Sequence, residues 1–374
     1  MIITALREGG NETRVAITPT AVKQYTKLGF EVLCEQNLGK FAGFNDEAYQ
    51  QAGARIMKDR KALLEETKIL VCISELEADD LKGLYADSIL IGPIYNNPQS
   101  DLLSWCLRHR ISVISLTAIP RISRAQNLDT LSSQANLAGY RAVLEAIAHF
   151  KRAVPMMMTA AGMIHPAKVL ILGAGVAGLQ AIATAKRLGA IVYAFDVRTA
   201  AKEQVESLGA QFIEVEQRQD AETAGGYAEE MSEEYQRLQA ELIHQHSQQV
   251  DIIICTALIP GKKAPVLIKQ KSIELMKPGS VIVDMATSRG GNCELSERDE
   301  VIKHGEVTIV GFSNIAGLVP ATASELFANN VLNFIKLISP APSKVHFNEE
   351  DEIIRQALIC HDGQAMPFQL VKGH

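Results

Sequence analysis

The chain has 374 residues, a length that suits about two domains, and 47% of them are apolar, which excludes a disordered chain. A net charge of −6 without any dense Lys/Arg cluster excludes a nucleic-acid surface. Aromatic residues make up only 5%, while Ala, Ile, Val, Leu and Gly abound, a balance that suits helices packed on sheets better than an all-β sandwich.

In chain order, residues 2–117 alternate β-like and α-like runs: IITAL, a helix from Pro19 to about Leu28, EVLCE, a helix near 46–66, KILVCI, SILIGPI, a helix near 99–109, then ISVISL. This alternation predicts a mostly parallel sheet covered by helices on its faces. No G-x-G-x-x-G occurs within it, so nothing there marks a dinucleotide grip. The stretch PRISRAQNLDTLSS (120–133) then concentrates hydrogen-bonding side chains between a strand and a helical run over 136–152. A second alternation follows from about 168 to 311: KVLIL, GLQAIATAKRLG, IVYAF, QFIEV, DIIICTA, SVIVDM and VTIVG.

A helix-like stretch at 324–338 returns the chain to the first unit, where KVHFNEEDEIIRQALICHDG adds short strands. The expected architecture is α/β, with two doubly wound parallel-sheet, Rossmann-like domains joined by long helices and a cleft between them. The first domain is discontinuous, 1–132 plus 326–374, and the second spans 133–325. Residues 216–249, polar, acidic and Gln-rich with Gly-Gly-Tyr at 225–227, interrupt the second unit, and a mobile loop is expected near 216–240.

The six cysteines lie far apart without a C-x-x-C, as expected of reduced, buried thiols. The start shows no signal-peptide pattern, and the longest uncharged run, 169–185, is shorter than a usual membrane span. A cytoplasmic location without direct membrane insertion is therefore expected.

The strongest motif is KVLILGAGVAGLQAIATAKRLGAIVYAFD (168–196). An apolar strand runs into Gly173-Ala-Gly175-Val-Ala-Gly178, which opens a helix, and the next strand ends at Asp196. Gly173 permits the tight turn, Gly175 leaves room for a pyrophosphate, and Gly178 lets the helix pack against the strand. The helix N-terminus offers free N–H groups and the positive end of its dipole to the phosphates. Asp196 suits the adenosine ribose 2′-hydroxyl and repels a 2′-phosphate, so the motif reads as NAD(H) despite Arg198 two residues on.

Other signals are weaker. His244-Gln-His246 lacks the further partners that a metal site needs. Met156–Met158 reads as gap-filling core at the domain junction. Asp284 at the end of VIVDM suits either a ligand contact beyond a strand end or a cap for the following turn.

REGGNETRVAITP (7–19), the fingerprint at 173–178 and GGNCELS (290–296) resemble the superfamily shared by alanine dehydrogenase and nicotinamide nucleotide transhydrogenase. SRAQNLDTLSSQANLAGYRAV (123–143), TAAG (159–162), AETAGGYAEEM (221–231) and TALIPGKKAPVLI (256–268) are more specific. They resemble the NAD(H)-binding domain I, the soluble alpha subunit, of proton-translocating NAD(P) transhydrogenase. The alanine dehydrogenase branch is less well matched. Where it carries a substrate-binding lysine, VCISELEAD has Ser74 before Glu75; 88–105 contains no histidine; and Ser288 stands where an acid is usual. Arg14 is kept, but a dehydrogenase acting on a C–N bond needs a positioned acid/base.

The resemblance implies an NAD(P)+ transhydrogenase of the proton-translocating type, active only with its partner subunits. Hydride passes directly from NADH here to NADP+ on a partner domain, with the reacting carbons held about 3–3.5 Å apart. It gives the polar loop the work of holding the nicotinamide, with Arg121 and Ser132 at the carboxamide, Gln126 towards the ribose and the incoming partner, and Asp129 at the ring. It implies cofactor contacts from Val176, Val197, Arg198, Tyr140, Ala257 and Leu258, with Tyr227 closing from the mobile loop. NADP(H) is expected on the partner domain and not on this chain. The implied partners are a second copy in a homodimer, an NADP(H)-binding domain and a membrane-spanning subunit, which would hold this chain at the inner face of the cell membrane. Two other readings stay open: an alanine dehydrogenase-like amino-acid dehydrogenase, and a non-enzymatic NAD-sensing module.

Overall fold

The computed structural model of the chain describes residues 1–97, 99–215, 232–259 and 262–366. The chain begins with β1 (Ile2–Ala5), α1 (Pro19–Lys27), β2 (Glu31–Glu35), α2 (Asp46–Ala52), β3 (Ala54–Met57), α3 (Arg60–Glu66), β4 (Ile69–Val71), β5 (Ile89–Gly92), α4 (Asp101–Arg108) and β6 (Ser112–Ser115). Next come α5 (Thr130–His149), a hairpin of β7 (Met157–Thr159) and β8 (Gly162–Ile164), then β9 (Lys168–Leu172), α6 (Val176–Arg187), β10 (Ile191–Phe195), α7 (Ala201–Ser207) and β11 (Gln211–Phe212). The remainder is α8 (Glu233–Ser247), β12 (Ile252–Cys255), α9 (Gln270–Ile273), β13 (Val281–Asp284), β14 (Val301–His304), β15 (Val307–Val310), α10 (Pro320–Ile338), α11 (Glu352–Ala357), β16 (Leu358–His361) and β17 (Gln364–Ala365).

Two compact units result: Met1–Gln134 with the segment from Gly317 onward, and Ala135–Ala316. The first sheet has the order β17-β16-β6-β5-β4-β1-β2-β3, parallel except where β16 and β17 join antiparallel. The second has the order β11-β10-β9-β12-β13-β15-β14, with only β14 antiparallel. Each is the doubly wound order, with its switch point between the first and fourth parallel strands: β1 and β4 in one unit, β9 and β12 in the other. Open α/β sheets bind ligands beyond the strand C-termini at that point.

The sheets are buried on both faces, which is why their strands read as continuous apolar runs. In the first unit Ile69 and Val71 of β4 join one core and Leu70 the other. In the second, Val169 and Ile171 of β9 face one core, while Leu170 and Leu172 face the other.

The structure corrects several sequence expectations. The helix expected near 46–66 is two helices separated by β3. Gly53, left-handed at φ 106°, stops α2 and turns the chain into ARIM, which pairs with β2. The helix expected from 136 starts at Thr130, because the Asp129 side chain caps its first turn. QFIEV contributes only two strand residues, and β14 forms an edge that the sequence reading missed. Met156–Met158 is not core: Met156 is 61% and Met158 80% exposed on the β7–β8 hairpin. Of the expected mobile loop, 216–231 lies outside the described residues, and 233–240 belongs to α8.

Candidate dinucleotide site

The strongest site geometry lies at the switch point of the second unit. Gly173 follows β9 at φ 99°, a left-handed turn that favours glycine. Gly178, in the first turn of α6, has no room for a side chain: a Cβ would stand 1.8 Å from the Gly173 carbonyl oxygen. At Gly175, by contrast, a Cβ would meet nothing within 4 Å, so that face of the loop is open. Gly175 precedes α6 without any side-chain cap, leaving the helix N-terminus available to an anion. Val176 beside it is exposed.

Asp196, at the end of β10, is held on both oxygens. Oδ2 accepts from the backbone N–H of Ala174 at 2.7 Å and from Arg198 Nη2 at 2.9 Å. Oδ1 accepts from Arg198 N–H at 2.9 Å and Arg198 Nε at 3.0 Å. One carboxylate therefore joins the glycine loop to the turn at Val197 and Arg198.

The opposite wall comes from β12. Thr256 Oγ1 donates to the Gly173 carbonyl at 2.8 Å, fixing the glycine turn to the neighbouring strand end. Asn292 holds Ala257: its Nδ2 donates to Ala257 O at 2.9 Å and Pro265 O at 2.8 Å, and its Oδ1 accepts from Ala257 N–H at 3.1 Å. Leu258, next in the chain, is 45% exposed. The sequence reading missed Thr256 and Asn292. A polar residue just past an apolar strand end was the available signal for Thr256, whereas Asn292 acts across 35 positions and left none.

Asp284 resolves into a cap. It is fully buried, and Oδ2 accepts from Asn292 N–H at 2.8 Å, Cys293 N–H at 2.9 Å and Ser296 Oγ at 2.5 Å. Its Oδ1 accepts from Ala286 N–H at 2.9 Å. The carboxylate shapes the loop that carries Asn292, and so acts on Ala257 indirectly.

In the first unit, the 120–133 stretch is a short 3-10 turn, Ser123–Leu128, running into α5. Ala125 and Leu128 are buried anchors, while Arg121 and Gln126 are exposed. Arg121 has polar or electrostatic interactions of its own. Asp129 and Ser132 are brought together: Ser132 donates to Asp129 through its N–H at 2.9 Å and its hydroxyl at 2.6 Å. Tyr140 is 38% exposed on α5, and Tyr227 lies outside the described residues.

The equivalent switch point of the first unit differs in kind. Glu8, in the loop after β1, accepts from Ile73 N–H at 2.8 Å and from the Ser74 hydroxyl, both in the loop after β4. Its carboxyl thus spans the two loops at the place where the second unit has its glycine turn. Burial raises Glu8 to about 7 against the opposing hydrogen bonds, with a smaller push from Glu12. Arg14 is engaged by Glu12 through Nε at 2.8 Å and Nη2 at 2.7 Å, and donates from Nη1 to Gln134 at 2.8 Å.

The histidine pair at 244 and 246 is divided. His244 Nδ1 meets Ser272 Oγ at 2.9 Å, whereas His246 lies near the Tyr193 ring, and burial lowers its pKa. Among the described residues no group of His, Cys, Asp or Glu could hold a metal ion. The six cysteines are all buried thiols.

A glycine turn at a doubly wound switch point, an open helix N-terminus and a strand-end carboxylate define the second unit as a dinucleotide-binding Rossmann domain. Residues 142–367 match the family "Alanine dehydrogenase/PNT, C-terminal domain", and residues 5–138 match "Alanine dehydrogenase/PNT, N-terminal domain". The chain belongs to the alanine dehydrogenase/PNT family. It is 48% identical over 364 residues, 94% of each chain, to the first portion of NAD(P) transhydrogenase subunit alpha from Rhodospirillum rubrum. It is 29% identical to alanine dehydrogenase of Bacillus subtilis, covering 85% of this chain and 80% of that one. The crystal structure of transhydrogenase from Sinorhizobium meliloti matches at 38% identity, with TM-score 0.84 and 98% of both chains covered.

Proposed function

We propose that this chain is the NAD(H)-holding subunit of a proton-translocating transhydrogenase, passing hydride directly between NADH and NADP+ held by a partner domain. The observation that carries the proposal is the contrast between the two switch points. One is open, glycine-lined and faced by a carboxylate; the other is closed by Glu8. This supports one dinucleotide per chain and no second substrate pocket of its own. The residues suit NAD(H). Gly173, Gly175 and Gly178 shape the turn beside α6, whose first N–H groups would take the pyrophosphate, with Val176 at its edge. Asp196 would accept from the adenosine ribose, next to Val197 and Arg198. Ala257 and Leu258 would flank the dinucleotide, with Tyr140 and Tyr227 as further contacts. When bound, the dinucleotide supplies the hydride. Arg121, Gln126, Asp129 and Ser132 orient the nicotinamide and perform no proton transfer, consistent with the lack of a lysine or histidine at the alanine dehydrogenase positions.

The partners follow from the same reading. Among the described residues no helix is long and apolar enough to cross a membrane, so proton passage is assigned to a membrane-spanning subunit and NADP(H) to a further domain. A homodimer is supported by the β7–β8 hairpin, which exposes Met156, Met157, Met158, Met163 and Ile164 as one apolar ribbon that a second copy would cover. In the cell the chain would sit at the inner face of the membrane through these partners.

The test is NADH oxidation by the purified chain in two stages. Pyruvate with ammonium should give no turnover, and adding an NADP+-loaded transhydrogenase domain should start it. Turnover in the first stage would establish an amino-acid dehydrogenase instead. Tight NADH binding without turnover in either stage would indicate an NAD-sensing module.

A further inference from the structure

The 120–133 loop has little backbone bonding to hold its shape. Within the 3-10 turn, Ala125 N–H reaches Ile122 O at 2.9 Å and Asp129 N–H reaches Gln126 O at 3.4 Å. Asp129 itself is extended, at φ −74° and ψ 90°, between the turn and α5. The main additional support comes from α10. Asn330 is 8% exposed; its Nδ2 donates to the Asn127 carbonyl at 2.8 Å, and its Oδ1 accepts from Ser133 Oγ at 2.8 Å. A single buried amide therefore grips both ends of the segment that contains Asp129 and Ser132 and lies next to Gln126. Asn333 adds a longer donation to the same Asn127 carbonyl, at 3.3 Å.

We infer that Asn330 is a positioning residue for hydride transfer, setting the loop geometry from behind while touching neither nucleotide. The inference rests on the role proposed above for the loop. An amide is suited to this place because it offers a donor to the carbonyl and an acceptor to the hydroxyl at once. Both groups are satisfied, so the segment is fixed by one rigid side chain on a long helix. Near-attack geometry is steep in distance, and a shift of about 1 Å from a remote change costs roughly 100-fold in rate.

The experiment compares wild type, Asn330→Leu, Asn330→Asp and Ser133→Ala in the full chain with an NADP+-loaded transhydrogenase domain. Hydride-transfer rate and NADH affinity are measured for each, with circular dichroism to confirm folding. Asn330→Leu keeps the side-chain size and removes both contacts; Asn330→Asp keeps the acceptor but sets a carboxylate oxygen against the Asn127 carbonyl. Each should slow transfer about 10- to 100-fold while NADH affinity changes less than about 3-fold. Ser133→Ala, which leaves the Asn127 contact, should lose less. If Asn330→Leu does not fold, Asn330→Asp decides alone. A folded variant with wild-type transfer, or with transfer and affinity falling together, overturns the inference. Absence of transfer in the wild type would refute the proposed function instead.

Discussion

Replacing Asp196 with asparagine tests the nucleotide assignment most directly. The carboxylate accepts from Ala174 N–H, Arg198 N–H and two guanidinium nitrogens, so Arg198 is neutralised by the residue that should select NAD(H). A unit charge of a 2′-phosphate about 4 Å from this carboxylate would be repelled by about 4 kcal/mol at an effective dielectric near 20. Arg198 offsets part of that, so the expected discrimination against NADPH is about 100-fold. Asparagine removes the charge and frees the guanidinium. NADPH affinity should then rise about 100-fold. One of the two backbone N–H groups would meet the amide nitrogen and lose its acceptor, at about 1–3 kcal/mol, so NADH affinity should fall about 10-fold or somewhat more. Fluorescence titration with both reduced nucleotides reads these changes. Adding Arg198→Ala to the Asp196→Asn chain should abolish the NADPH gain. Unchanged NADPH affinity in the single variant, or a gain that survives loss of Arg198, would refute the reasoning.

Three further outcomes follow from the geometry. Gly178→Ala would place a Cβ 1.8 Å from the Gly173 oxygen that Thr256 also binds, so the turn must open. NADH affinity should fall by about 100-fold or more with the fold retained by circular dichroism, and a loss below about 3-fold would contradict the packing argument. Asp284→Ala orphans the N–H groups of Ala286, Asn292 and Cys293, which should cost about 4 kcal/mol in urea unfolding; a cost below about 1 kcal/mol would show that water replaces the carboxylate. Glu8, raised to about 7 when folded, binds its proton more tightly in the native state than in the unfolded one. Its contribution is complete below about pH 4.5 and lost as pH rises through 7, at most about 3 kcal/mol. Glu8→Gln should flatten that slope in denaturant titrations between about pH 5 and 8, and slopes parallel to wild type would mean that Glu8 does not titrate there.

The parts of this protein legible in its sequence are those whose residues act on near neighbours. The glycine turn, the α6 N-terminus and Asp196 fall within one strand–turn–helix–strand segment, and their spacing carries their geometry. The doubly wound topology was readable for a related reason: strands buried on both faces become unbroken apolar runs. Where the reading failed, local pattern could not separate two outcomes. Met156–Met158 has the same composition whether it fills a core or lines an exposed hairpin, and only the fold shows that nothing among the described residues covers it. The 46–66 run contained its own stop signal in Gly53, but the short strand after it became visible only through pairing with β2. Asn330 and Asn292 were silent because each acts on a loop far away in the chain.

The contrast at the two switch points shows why topology alone does not carry function. Both units present the same strand order and the same crevice beyond their strand ends, a place where such sheets ordinarily take a ligand. In the second, the loop after β9 surrenders its side chains, and the open space at Gly175 with the uncapped start of α6 can admit a charged pyrophosphate. In the first, the loop after β1 sends Glu8 across to Ile73 and Ser74, satisfying the very donors that an anionic ligand would seek. A dinucleotide entering there would have to displace a carboxyl from its hydrogen bonds and meet negative charge above neutral pH. The next helix begins only at Pro19, so no helix N-terminus adjoins that turn to receive its phosphates. The first unit is thereby freed from nucleotide binding and left to support the 120–133 loop, whose anchors on α10 belong to that same unit.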